Sequence, residues 1–185
     1  MGELIYLALQ SLDGYIADEQ GNFEWAAPSE EVHAFVNDLT RPLGTHLLGR
    51  RMYEVMSVWE RPDELPGMTD AVRDFAAIWA DADKVVYSRT LDAVSTARTR
   101  LERDFDPEAV RQLKESSERD LSIGGPGVAA SAFSAGLVDE LQLFIAPAIV
   151  GGGTASLPAG VRLDLELVEE RRFAGGMAYL RYRTG

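Results

Sequence analysis

The 185 residues are 46% hydrophobic and 26% charged, a composition that suits one soluble globular domain around one core. Thirty acidic against 18 basic residues give a formal charge of −12, which argues against nonspecific nucleic-acid binding, since that runs on clustered Lys and Arg. The absence of cysteine excludes disulfides, thiol nucleophiles and thiolate metal sites.

No apolar run approaches the roughly 18 residues of a membrane span, and Met1-Gly2-Glu3 leads directly into a strand-like run without a basic leader. The expectation is a cytoplasmic protein. Leu4 to Leu9 is almost uninterruptedly apolar, as in a central strand buried on both faces. It ends in Ser11-Leu12-Asp13-Gly14, where Asp13 is either a turn former or a group at the mouth of the sheet. Asp18 to Trp25 is a polar loop with Gly21-Asn22 and two aromatics, readable as a lid or as an anchored surface turn.

Ser29 followed by Glu30 and Glu31 marks a helix start, and Val32, Phe35, Val36 and Leu39 continue it until Arg41-Pro42. Leu47-Leu48 is a short strand that meets Gly49-Arg50-Arg51, a strand-to-helix junction with two guanidiniums able to fork onto a phosphate. Trp59 to Pro66 reads as loop, Thr69 to Ala80 as helix, and Lys84 to Tyr87 as a buried strand ending in Ser88-Arg89-Thr90. Val94 to Leu101 alternates like a strand with Arg98 and Arg100 on one polar face, and Asp106-Pro107 opens a further helix.

Leu121 to Gly153 organises the rest. Leu121 and Ile123 form a strand that stops at Gly124-Gly125, Pro126 opens a helix with Val128, Ala129, Ala132 and Phe133 inside, and Gly136 ends it. Free N–H groups at such a start, together with the helix dipole, favour an anion. The stretch from Gly125 also matches GxGxxA, the Rossmann fingerprint, but late in the chain and with hairpin strands to follow. A packing turn without ligand is the third reading. Val138 to Val150, Leu163 to Phe173 and Met177 to Tyr182 are the last strands; Leu163, Leu165 and Leu167 alternate with acids, and Gly175-Gly176 makes the hairpin turn. The sum is a single α/β domain over residues 1–185, three αβα layers around a mixed, mainly parallel sheet with an antiparallel C-terminal hairpin.

Four segments carry a family resemblance: Ser11 to Ala17, Leu48 to Glu54, Val86 to Leu91, and Ile123-Gly124-Gly125 with Gly136 to Leu141. In this order and spacing they resemble the dihydrofolate reductase-like superfamily, in particular the reductase (C-terminal) domain of the riboflavin-biosynthesis protein RibD. The resemblance implies the dihydrofolate reductase-like fold, a homodimer, and NADPH as cofactor. Gly49, Arg50, Arg51, Gly124, Gly125, Gly127 and Val128 would embrace its pyrophosphate, Ser88 and Arg89, with Arg50 or Arg51 assisting, its 2′-phosphate, and Ala8 would lie beneath the nicotinamide. Leu143 to Val150 is the candidate contributor to the dimer interface.

Two positions depart from folate reductases. Met52 stands where they carry a threonine, and counting back from Gly49 places His33, near Glu30 and Glu31, where they carry the pterin-binding carboxylate. Asp13 is the first candidate for catalysis or substrate binding, ahead of Tyr53, Trp25, Glu31 and His33. His33 and His46 make no metal motif, and no GxSxG elbow or P-loop lysine is present. The implied function is an NADPH-dependent reductase that transfers hydride to a small heteroaromatic or carbonyl-containing substrate, such as a pyrimidine-ribosyl or pterin-like compound; the alternative is a non-catalytic nucleotide-binding or scaffold protein of the same fold.

Overall fold

The computed structural model describes residues 1–65, 67 and 69–185. In chain order it contains β1 (Leu4–Ser11), β2 (Tyr15–Ala17), α1 (Glu30–Thr40), β3 (Leu43–Gly49), α2 (Arg50–Met56), α3 (Asp70–Asp81), β4 (Asp83–Tyr87) and β5 (Thr99–Glu102). The chain continues through α4 (Pro107–Ser116), β6 (Asp120–Gly124), α5 (Pro126–Ser134), β7 (Glu140–Ala146), β8 (Thr154–Ala155), β9 (Leu165–Arg172) and β10 (Ala178–Thr184). Eight strands form one sheet in the order β5-β4-β3-β6-β1-β7-β10-β9, and β2 pairs with β8 apart from it. Neighbours from β5 to β7 are parallel, whereas β10 runs antiparallel to both β7 and β9.

The apolar run of β1 explains its central place. Leu4, Tyr6 and Ala8 face one hydrophobic cluster, with Val110 of α4 and Val128, Ala129, Ala132 and Phe133 of α5. Leu7 and Leu9 face another, with Phe35 of α1 and Phe144 and Tyr179 of the outer strands. On that second side Trp79 and Phe75 of α3 also pack against Leu48 and Val86. The sheet is therefore sandwiched, with α1 and α3 on one face and α4 and α5 on the other. Side chains of Ser29, Thr69 and Asp106 accept hydrogen bonds from the first turns of α1, α3 and α4.

Three expectations need correction. Val94 to Leu101 is not one strand: β5 begins at Thr99, and Arg98 turns the chain in the left-handed region (φ 52°) with its Nε 3.0 Å from Asp83. The stretch from Trp59 is wound into 3₁₀ turns at Ser57–Glu60 and Pro62–Glu64; Pro66, where the loop was expected to end, lies outside the described residues. Leucines of β9 do not face a core, since seven of its eight residues are exposed on both faces of an edge strand.

The hairpin is fastened on the α1 side of the sheet. Glu140 is buried, 2.7 Å from Arg181 and 2.7 Å from the Gln142 amide, which donates to it. Arg171 lies over the Phe35 and Phe173 rings at 4.6 and 4.8 Å.

Under α3, His46 of β3 stacks on Trp79 at 5.9 Å, its Nδ1 2.6 Å from Ser122 Oγ, while the buried Lys84 ammonium donates to the Trp79 carbonyl at 2.8 Å. Burial, and then the charges of Lys84 and Arg119, push the His46 pKa down to about 4. A group depressed in this way contributes stability that is complete above its unfolded value near 6.5 and is lost as pH falls towards 4. Urea unfolding should therefore lose up to about 3 kcal/mol more in wild type than in His46→Gln between pH 7 and 4; equal losses would contradict the burial of a neutral imidazole.

Candidate functional site

Adjacent strands β3 and β6 send their chains to opposite faces. After Gly49 the chain enters α2, whose Tyr53 packs with Trp79 and Phe75, whereas after Gly124 it enters α5 against Tyr6 and Leu4. A crevice opens at the carboxyl ends of two strands that diverge like this, which is where open α/β sheets hold ligands.

Both walls of the crevice are glycine. Gly125 (φ 95°) is so close to Gly49 that a Cβ built on it would stand 3.4 Å from Gly49 N and 3.5 Å from its Cα. Met52 closes the floor, its Cγ 3.2 Å from the place of a Cβ on Gly124. A Cβ on Gly127, in the first turn of α5, would meet nothing within 4 Å, so no packing holds that position to glycine. Unlike α1, α3 and α4, neither α2 nor α5 has a side-chain cap: their N-cap residues are Gly49 and Gly125, and Pro126 opens α5. The N–H groups that other helices satisfy internally are thus presented to whatever enters. An anionic diphosphate fits this donor set and this lack of side-chain bulk.

Around the crevice the structure brings most of the sequence-derived residues together. Arg50 reaches from α2 across to the end of β4, with Nη1 2.7 Å from Thr90 Oγ1 and Nε 2.7 Å from Glu54. Arg89 is exposed and paired with Asp104. Ser88 is buried, and its hydroxyl accepts from Thr90 N and Leu91 N at 3.3 and 3.0 Å, which shapes the turn and leaves Thr90 as the hydroxyl facing Arg50. Arg103 holds the same turn through the Ser88 and Leu91 carbonyls at 3.2 and 2.6 Å. Ala8 lies where β1 has outrun β6: pairing with β6 stops at Tyr6, while pairing with β7 continues to Ser11. That leaves a notch beside Ala8, whose own side chain is buried in the core.

Arg51 points the other way, into a polar cleft of about 490 Å³ lined also by Asp18, Glu19, Gln20, Gly21, Gly153 and Thr154. Thr90, Arg103, Gly153 and Thr154 had no role assigned from sequence. The only signal for the last two was the run Gly151-Gly152-Gly153, whose meaning depends on its partner. A Cβ on Gly153 (φ 127°) would lie 2.1 Å from the Ala17 carbonyl oxygen. Thr154 and Ala155 pair with Ala17 and Tyr15 as β8 against β2.

Asp13 belongs to this fastening. Its carboxylate accepts from Val150 N at 3.2 Å and Gly151 N at 2.8 Å, binding the end of β1 to the glycine run. Ser11 and then these amides hold its pKa below the ordinary carboxylate value. Ionised at neutral pH, it is a hydrogen-bond acceptor and not a proton donor.

The weaker candidates are dispersed. Tyr53 is buried with its hydroxyl accepting from Ser95 N at 2.9 Å; burial raises its pKa, but hydrogen bonds from Ser95 and Thr96 outweigh that and bring it below the ordinary value. Glu31 is 3.5 Å from Arg171 of the hairpin and accepts from Ala174 N at 3.4 Å. Trp25 donates to Asn22 O at 3.2 Å. His33 rests against Trp59 and Phe75, each 5.8 Å away, and burial lowers its pKa despite the pull of Asp74. Among the described residues no helix is long and apolar enough to cross a membrane.

Comparison with known proteins places the chain in a family. The family model for the RibD C-terminal domain matches residues 3–179. The chain is 25% identical over 174 residues to the uncharacterized protein YyaP of Bacillus subtilis, covering 93% of this chain and 89% of that one. The diaminohydroxyphosphoribosylaminopyrimidine deaminase/5-amino-6-(5-phosphoribosylamino)uracil reductase of Thermotoga maritima superposes with a TM-score of 0.68 at 17% identity, over 100% of this chain. The match spans 57% of the Thermotoga chain. Enterococcus faecalis dihydrofolate reductase, complexed with NADP(H) and RAB-propyl, superposes with a TM-score of 0.67 at 19% identity, over 100% of this chain and 97% of that one. The fold is the dihydrofolate reductase-like fold.

Gly153→Ala tests the fastening: the side chain has no room and the backbone is in a region L residues rarely adopt. The expected loss is at least about 1–3 kcal/mol in denaturant unfolding; an unchanged midpoint would show that the two loops are not locked at this point.

Proposed function

Because the chain belongs to the RibD C-terminal domain family, we propose that it is an NADPH-dependent reductase that delivers hydride to a small pyrimidine-ribosyl or pterin-like ring, or to a carbonyl compound. The observation that carries this reading is the pair of helix starts without side-chain caps, Gly49 and Gly125, set against each other where β3 and β6 diverge.

Bound NADPH would supply the hydride and carry the difficult electronic step. The residues of the chain bind and orient. Backbone at Gly49, Gly124, Gly125, Gly127 and Val128 takes the diphosphate, with Arg51 on the side of the polar cleft. Arg50, already beside Thr90, and Arg89 take the 2′-phosphate, with Ser88 shaping the turn beneath them. Arg89 exchanges Asp104 for the phosphate, a modest cost because the pair is exposed. The notch at Ala8 receives the nicotinamide.

Asp13 acts in this reading as an anionic acceptor that orients the substrate and holds Val150 and Gly151 in place. At the position where folate reductases carry a carboxylate stands His33, which prefers its neutral form, and of its acidic neighbours Glu31 is engaged with the hairpin and Glu30 lies exposed. Folate itself is therefore not the substrate proposed. The relative from Thermotoga, which is named for a phosphoribosylaminouracil, supports a pyrimidine-ribosyl compound. The protein works as a cytoplasmic homodimer in this reading.

Calorimetric titration should give tighter binding of NADPH than of NADH in wild type. Arg89→Ala should weaken NADPH about tenfold or more and leave NADH nearly unchanged, since a charge-assisted phosphate contact contributes about 1.5–3 kcal/mol. Equal weakening of both nucleotides would remove Arg89 from the 2′-phosphate. Turnover of a pyrimidine-ribosyl substrate should fall in Asp13→Ala and recover partly in Asp13→Asn, which keeps an acceptor oxygen. Tight NADPH binding with no turnover of any candidate would favour the scaffold alternative.

A further inference from the structure

The turn from Ser88 to Leu91 is held from β5 as well as from α2. Ser88 N donates to Glu102 O at 2.9 Å, so the pairing of β4 with β5 runs one step past Tyr87 and brings Arg103 level with Ser88. Alternation along β5 puts Arg103 on the side of Leu101, which packs against the cluster of Tyr53, Trp79 and Val86. From that same side Arg50 of α2 reaches Thr90. Two guanidiniums from different elements therefore flank one turn.

Charge separates the cations at this corner of the sheet. Arg50 is paired with Glu54 at 2.7 Å, Arg89 with Asp104, Arg98 with Asp83 at 3.0 Å and Arg100 with Glu102 at 3.4 Å. Each of these pairs sums to zero. Arg103 has no carboxylate partner among the described residues. Its Nη1 donates to the carbonyls of Ser88 and Leu91 at 3.2 and 2.6 Å, which hold the group and leave its charge uncancelled. Both bonds use Nη1, so Nε and Nη2 keep their N–H groups without a partner among the described residues. That edge of a guanidinium is the one able to take a phosphate through two parallel hydrogen bonds.

We propose that Arg103 binds the 2′-phosphate of the nucleotide, as the third guanidinium of that site and the one whose charge no acid cancels. The proposal rests on the NADPH reading and adds to it a residue that sets the preference for the phosphorylated cofactor. Before either meets a phosphate, Arg89 has to leave Asp104, and Arg50 remains shared with Glu54. Arg103 needs no such exchange. Its two carbonyl bonds have already fixed the guanidinium, so little conformational freedom is lost on binding. On a chain of formal charge −12 an anion is held only where positive charge is locally in excess, and at this corner Arg103 supplies the excess.

Calorimetric titration of NADPH and NADH into the full chain tests the assignment. Arg103→Gln should weaken NADPH about tenfold or more and leave NADH unchanged, as expected when a hydrogen bond between charged groups is lost. The unfolding midpoint should be retained, because the side chain is exposed. An equal loss of NADPH affinity should appear when Arg103→Gln is added to Arg89→Ala. A loss that vanishes in the Arg89→Ala background would show that Arg103 serves only to hold the turn under Arg89, and would overturn the proposal. Unchanged NADPH affinity in Arg103→Gln, or an equal fall for both nucleotides, would overturn it too. Arg111→Gln makes the same change of charge on α4, where Arg111 pairs with Glu108, and should leave both affinities as they are. A fall in NADPH affinity there as large as in Arg103→Gln would make the effect one of the overall field and not of contact. Wild type that binds NADPH no better than NADH would remove the 2′-phosphate reading as a whole, whereas a clear preference that survives Arg103→Gln removes Arg103 alone.

Discussion

Contact between the backbones of Gly49 and Gly125 is the constraint from which the rest of the site follows. Parallel strands β3 and β6 are neighbours, and their helices leave to opposite faces, so the two junctions have to pass each other at the sheet edge. A Cβ on Gly125 would already be in van der Waals contact with Gly49, and the positive φ of Gly125 at the turn into α5 is a conformation that L side chains rarely adopt. The same lack of side chains that permits the crossing leaves the helix starts uncapped. The close packing and the uncapped helix starts thus come from one local fact, which is why the packing-turn reading and the phosphate-site reading rest on the same residues of the sequence.

A second dependence runs through the glycine run at 151–153. Asp13, at the end of β1, accepts from its first residues, and Gly153 lies against Ala17 with no room for a methyl group. Loop 18–21 and Thr154 are therefore brought to the cleft occupied by Arg51. One side of the crevice is built by βα junctions early and midway in the chain; the other is built by loops joined across more than 130 residues. The local junctions are rigid consequences of secondary structure, whereas the joined loops depend on tertiary contacts.

That difference sets what was legible in the sequence. Ser29, Thr69 and Asp106 announce their helices because capping is local, and the helix after Gly125 was readable to its end at Gly136 for the same reason. Runs such as Leu4 to Leu9 gave the strands, since burial on both faces removes polar residues. Arg98 defeated the alternating pattern because positive φ leaves no mark in an arginine. Leucine alternation in β9 suggested an inner face, but a register fixed by the Val168 bulge and by an edge position puts those leucines in the open. Arg50 meeting Thr90, and Asp13 meeting Gly151, join residues 40 and 138 positions apart, which no spacing rule reaches.

The central claim is that a dinucleotide diphosphate sits between the starts of α2 and α5. It is tested most directly by following backbone amide resonances of the isotope-labelled protein as NADPH is added. The account predicts that Gly49, Arg51, Gly125, Gly127 and Val128 shift most, with Thr90 and Thr154 moving at the two flanks, while the β9 face stays still. Saturable binding that leaves Gly49 and Gly125 unmoved, with the largest shifts elsewhere, would contradict it.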